Sequence, residues 1–180
     1  MNIQRVLFIT AMLVLTTACG TVIEKYNPNP VAFKLSNEQI PKISISSAVN
    51  IINDQPSEED VLLGEVGRID WMGNLHAWTD AAINQAVRRL GPTKVSVTDD
   101  AQKTLKFSIT KAELIYGSVM TRSIVNLRVI TGDGIELNFS GDHRATAGIF
   151  HLPKVAMDGA VSNAAILAIN DSKVLEYLSQ

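Results

Sequence analysis

Val125-Asn126-Leu127-Arg128-Val129-Ile130-Thr131-Gly132-Asp133-Gly134-Ile135-Glu136-Leu137-Asn138-Phe139 reads as two strands around a tight turn. Val125, Leu127 and Val129 alternate with polar neighbours, and so do Ile135, Leu137 and Phe139. Alternation with a period of two puts each apolar set on one face of a sheet. Gly132-Asp133-Gly134 supplies the turn, because glycine enters positive φ without a Cβ clash. Upstream, Leu105, Phe107 and Ile109 alternate, and the pattern then shifts to Ala112, Leu114 and Tyr116. That shift predicts a bulge near Thr110-Lys111. Downstream, the return strand is expected to run towards Ala147. The centre of the chain is therefore an antiparallel meander.

Helices are expected on both sides of it. From Asn74 to Leu90, Leu75, Trp78, Ala82, Ala86 and Leu90 fall on one stripe, with Ile83 and Val87 beside it. Asn74 is placed to cap the first amides. Arg88 and Arg89 suit the carbonyl end of the dipole, and Gly91-Pro92 ends the helix. Trp71 and Trp78 flank its start, as core residues or as the wall of a groove. The second helix opens at Leu152-Pro153. Val155, Gly159, Ser162, Ile166 and Ile169 form its stripe, and its many small residues allow close approach to a sheet. Asp171 is placed to cap a final short helix containing Val174, Leu175 and Leu178.

Further strands are expected over Ile43–Ile52, at Val61-Leu62-Leu63-Gly64 and over Lys94–Thr98. The whole reads α+β: an antiparallel-rich sheet of four to five strands, with two main helices on one face, in the order β-α-β-β-β-β-α. The polar stretch Asn53–Asp60 holds four carboxylates, but it lacks the glycine turn and spaced ligands of a calcium loop. It reads as a solvated loop.

The N-terminus carries a different kind of information. Arg5 precedes an apolar run of about ten residues, Val6–Leu15, too short for a span of roughly 20 residues and suited to a secretory signal. Thr16-Thr17-Ala18-Cys19-Gly20 follows and contains the single cysteine of the chain. This stretch resembles a bacterial lipobox, with Thr16 where leucine is usual and the leucine one position earlier, at Leu15. The resemblance implies cleavage after Ala18 and lipidation of Cys19 by diacylglyceryl and acyl (palmitate-type) chains. Two or three chains anchor durably where one does not. Gly20, rather than aspartate, resembles an outer-membrane address, on the periplasmic face. The competing reading is a plain signal peptide that leaves Cys19 a free thiol, a liability in an oxidising compartment. The expected organisation is a signal peptide over 1–18, lipidated Cys19 with a flexible linker over 19–41, and a single periplasmic domain over 42–180. The Asn-Pro steps at Pro28 and Pro30 oppose helix. Part of the linker, such as Val31–Leu35, has the composition of an edge strand.

The chain has 16 basic and 18 acidic residues. Without Arg5 the net charge falls to −3, and no basic face stands out, so nucleic acid is not expected as a partner. No second apolar run of spanning length is recognised. His76, His143 and His151 lack the spacing of a metal site, although Asp142, His143 and His151 are a conceivable cluster. No nucleophile elbow, zinc-protease helix or phosphate loop occurs. No catalytic residue, cofactor or metal is expected.

Ala81-Ala82-Ile83-Asn84-Gln85-Ala86-Val87, Lys111-Ala112-Glu113-Leu114, the Gly132-Asp133-Gly134 turn and Asp171–Leu178 together resemble small outer-membrane lipoproteins of the YajG type. That family has no firmly assigned activity. A looser similarity extends to auxiliary lipoproteins of lipid transporters and to lipoprotein activators of peptidoglycan synthases, which implies partner binding. The functional expectation is a non-enzymatic, lipid-anchored envelope protein that tethers its domain near a protein partner. It would dock through a sheet edge or the Asp54–Asp60 loop. The alternative is a lipid- or glycan-binding accessory of an envelope transport or peptidoglycan-synthesis system, with a pocket at Trp78, Phe107 and Phe139. A hydrolase using His143 or His151 is the third reading.

Overall fold

A computed structural model describes residues 20–29, 48–91, 103–117, 120–146 and 152–180. Among the described residues seven strands and three helices follow in the order β1 Val22–Lys25, β2 Val49–Asn53, β3 Asp60–Val66, β4 Ile69–Asn74, α1 Leu75–Leu90, β5 Lys103–Tyr116, β6 Thr121–Thr131, β7 Glu136–Ala145, α2 Leu152–Asn170 and α3 Ser172–Ser179. The class is α+β. The meander is present: β5, β6 and β7 pair antiparallel, and the register slips between Ile109 and Lys111 where the alternation breaks. Every second residue of β6 is buried from Thr121 to Thr131. The turn closes with a 2.8 Å bond from the Gly134 amide to the Thr131 carbonyl, and Gly134 sits at φ 88°.

Both main helices cover the apolar face of this sheet, α1 over β2 and β5, α2 over β6 and β7, in contact with each other. The Asn74 Oδ1 accepts from the Ala77 amide at 2.9 Å and starts α1. The Gly91 amide donates to the Val87 carbonyl and ends it. Asp171 caps α3 by accepting from the Lys173 and Val174 amides. On α2, Gly159 faces His143 and Gly141 of β7 faces Ala160 and Ala164, so closely that a methyl at either glycine would overlap its neighbour.

Three features depart from the sequence reading. The strands form two sheets, β2-β5-β6-β7 and β1-β4-β3, and the pairs β1–β4 and β2–β5 are parallel. Local alternation does not report pairing direction, which a crossover through β3, β4 and α1 imposes on β2 and β5. Next, β1 lies inside the stretch expected to be linker. Its pattern is too short to announce a strand, and contacts of the following residues hold it in place. Finally, α2 is 19 residues long and holds an 18-residue stretch with a mean hydropathy of 1.2, enough by length and composition to cross a membrane, yet 67% of that stretch is buried inside the domain. It is buried almost all round, except that Val155, expected on its inner stripe, and Leu167 are exposed. Lys94–Thr98, Val31–Leu35, His151 and Cys19 lie outside the described residues. So does the first half of the strand expected over Ile43–Ile52, of which Val49–Asn53 is β2.

Candidate functional site: the strand beside Cys19

The polar constellation that reaches furthest across the fold begins seven residues after Cys19. β1 adds to the edge of β4, with Glu24 beside Trp71. Tyr26 then turns inward. Its hydroxyl donates to Asp158 Oδ1 at 2.8 Å. The Asn29 amide donates to the same oxygen at 2.8 Å. The Tyr26 carbonyl accepts from Trp78 Nε1 at 3.0 Å. Its ring meets Trp71 edge to face, with centroids 6.3 Å apart, a geometry that suits the quadrupoles of both rings. Lys154 lies over the Tyr26 and Trp71 rings and pairs with Glu24 at 3.2 Å. On the other side of β1, Lys25 pairs with Asp60 at 2.5 Å.

Asp158 is a carboxylate on a core helix, only 9% exposed. Burial raises its pKa, and the two donors partly offset that. Burial and the neighbouring Asp158 raise that of the Tyr26 hydroxyl well above the usual phenol range. The pair therefore acts as a fixed latch, with the proton held on tyrosine. It clamps the chain just after Cys19 to the central helix of the domain.

Beside the latch, a shallow groove of about 440 Å³ runs between Pro28-Asn29 and the α1 residues Ala77, Asp80, Asn84 and Arg88. Its lining is mixed. Trp71 and Trp78 are core residues, and Trp78 and Phe107 are fully buried. Neither lines this groove nor the second cavity, at Ser140, Asp142, Asn163, Ile166 and Leu167.

The remaining expected site residues are dispersed. Asp142 points outward and takes a two-pronged bond from Arg122, at 2.8 and 2.6 Å, which holds its carboxyl below the usual range. His143, its strand neighbour, points to the opposite face and packs on Gly159. Successive strand residues face opposite ways, so Asp142 and His143 do not converge. Burial lowers the His143 pKa, opposed by the charge of Asp142. His76 Nε2 stands 3.9 Å from Asp80 on α1. Among the described residues no three His, Cys, Asp or Glu side chains cluster as metal ligands would. The Asn53–Asp60 loop is exposed beyond Gln55 but pinned. Asn53 donates to Asp80 at 2.7 Å, and Asn74 donates to the Glu58 carbonyl.

The sequence reading missed Tyr26, Asn29 and Asp158 altogether. One signal was available: Asp158 is the lone charged residue in the mostly apolar stretch Val155–Ile169, and a carboxylate there needs a partner.

No family model matches this sequence, and no curated protein matches it. Its fold is similar to the crystal structure of protein XCC0632 from Xanthomonas campestris, a DUF330 protein, with a TM-score of 0.50. The likeness covers 86% of this chain and 96% of that one at 12% sequence identity. At that identity the likeness is one of fold.

Proposed function

We propose that this is a non-enzymatic, lipid-anchored protein of the cell envelope, of the YajG type, which tethers a small α+β domain near a protein partner. The anchor is Cys19, and the address is the periplasmic face of the outer membrane. The docking element is the outer edge of β7. The observation that carries the reading is that β7, ten residues long, stands last in its sheet among the described residues, with Asn163 taking only its Asp142 carbonyl. The edge of a long strand offers backbone donors and acceptors to an added strand. The Asp54–Asp60 loop is the weaker candidate, because its side chains and backbone are tied down at Asn53, Asp54 and Asp60. The polar groups that this fold gathers are bound to one another, as Tyr26 is to Asp158, which suits a structural role.

A tether works by raising the effective concentration of the domain at its partner. Cys19→Ala is expected to release the protein from membranes and abolish its function while leaving the fold intact. Full activity of that variant as a soluble protein would refute tethering. Photo-cross-linking in living cells from Asn138 on β7 is expected to capture a defined envelope protein, and the same probe at Asn84 on α1 to capture none. Capture of lipid or glycan alone would favour the accessory reading instead.

A further inference from the structure

We infer that the domain does not hang from a long linker but sits directly on the bilayer, with the tip formed by Val22, Ile23 and the Gly67-Arg68 turn in the headgroup region. The inference rests on the lipidation of Cys19 proposed above. Only three peptide steps separate Cys19 from Val22, a reach of about 10 Å when fully extended. The expected linker over 19–41 would have reached roughly 70 Å. From Val22 to Asn29 the chain is part of the domain: Val22 donates to the Arg68 carbonyl at 2.9 Å, β1 pairs with β4, and Tyr26 and Asn29 close on Asp158. The anchor therefore holds one particular end of the domain against the membrane.

That end has the chemistry of a bilayer interface. Val22 is 57% exposed and Ile23 64%, the most exposed large apolar side chains among the described residues. Arg68 stands exposed beside them, where a cation meets lipid phosphates favourably. The two charges of β1 are already paired, Glu24 with Lys154 and Lys25 with Asp60. The acids level with Ile23 are Asp70 and Glu65, one and two strands inward. They lie about 5 and 10 Å behind the edge and two residues, about 7 Å, up each strand from the turn, so a contact confined to the headgroup surface leaves them on its water side. Val22 and Ile23 face opposite sides of β1 at its open end, so edge-on contact brings both to the interface and adds their apolar surface to that of the acyl chains.

The far reference point is the Gly132–Gly134 turn. Gly64, which pairs with Trp71 of β4, lies against Leu114, opposite Ser123 on β6. From Ser123 to Thr131 the strand covers about 25 Å, so Asp133 lies far along β6 from the place where the two sheets meet at Gly64 and Leu114.

The test uses the full chain, lipidated in a bacterial host and reconstituted in vesicles of phosphatidylethanolamine and phosphatidylglycerol. A thiol-reactive fluorophore is placed by Ile23→Cys, by Val22→Cys, or by Asp133→Cys. A lipidated Cys19 is a thioether and takes no label. Headgroup-spin-labelled lipid is expected to quench positions 22 and 23 at least about threefold more than position 133. Equal quenching at all three positions, with the protein floating on the vesicles, would overturn the seating while leaving the lipoprotein reading standing. Labelling of the parent chain at Cys19, or failure of that chain to float, would overturn both.

Discussion

The Tyr26 hydroxyl donates to Oδ1 of Asp158 at 2.8 Å, across 132 residues of sequence. Tyr26 directly follows the strand β1, and Asp158 is in the second turn of the helix that covers β6 and β7. One bond thus joins the anchor end of the chain to the centre of the core. Tyr26→Phe keeps the ring on Trp71 but removes this bond, and it is expected to destabilise the protein by about 1–2 kcal/mol. Asp158→Ala strands two donors, the Tyr26 hydroxyl and the Asn29 amide, and should cost on the order of 3 kcal/mol. Asp158→Asn keeps an acceptor and should cost the least. Urea denaturation ranks the three. Hydrogen exchange of the β1 amides shows whether the loss is local, as a latch requires.

The latch also sets a pH dependence. Burial raises the Asp158 pKa in the folded state, so the unfolded chain ionises first as pH rises. The associated stability is present below the ordinary carboxylate value, about 3.9, and is lost as pH rises through the folded value. Asp142 has the opposite sign. Arg122 depresses its pKa, and that stability is present above the ordinary value and lost as pH falls. The two oppose each other in acid, so the informative quantity is a difference. The stability of the parent relative to Asp158→Asn is expected to rise as pH falls from 7 towards 4. A flat difference would place the Asp158 carboxylate in a solvent-like environment. At the alkaline end, Tyr26 is expected to stay protonated well past pH 10. The unfolded tyrosine ionises first, so the advantage of the parent over Tyr26→Phe should begin to shrink above about pH 10 and keep falling through the folded value.

Part of this arrangement was legible in the sequence, and the reasons differ by element. β6 alternates without a break, so period two located it, and the displaced alternation around Thr110 located the bulge. Asn74, Gly91 and Asp171 are terminal signals whose function depends only on neighbouring backbone. β4, Ile-Asp-Trp-Met-Gly-Asn, has too few apolar residues to alternate, and its place is decided by Trp71 and by the room Gly73 leaves for Trp78. β1 carries exposed apolar residues and no periodic pattern. Its pairing with β4 and the partners of Tyr26 define it, and those lie from about 45 to 132 residues away. The division into two sheets is likewise a matter of which strands meet, which local patterns do not encode.

The seam between α2 and β7 is expected to tolerate no added carbon. A methyl at Gly159 would overlap the His143 ring, and one at Gly141 would overlap the Ala160 carbonyl and Ala164. Both glycines have ordinary backbone angles, so Gly→Ala at either site acts through overpacking rather than through φ. Each substitution should cost about 2–3 kcal/mol. Because the Gly141 clash is with backbone, it should resist rescue. The Gly159 clash is with a side chain, and His143→Ala should recover part of the loss. A double-mutant cycle by chemical denaturation measures that coupling.

Ser162 marks the opposite case, a place where the present sequence is not the most stable one. It lies in the middle of α2 and is fully buried, and its hydroxyl has no hydrogen-bond partner among the described residues. A buried hydroxyl that has lost water without gaining a protein partner is a net cost. Alanine removes that polar atom, keeps the narrow profile of the helix and has the higher helix propensity. Ser162→Ala is therefore expected to stabilise the protein by about 0.5–1 kcal/mol. For a domain of this size that corresponds to a rise in Tm of about 1–4 °C. A fall in Tm would mean that the hydroxyl does work in the native state that the packing around it does not reveal, such as holding an ordered water against the sheet.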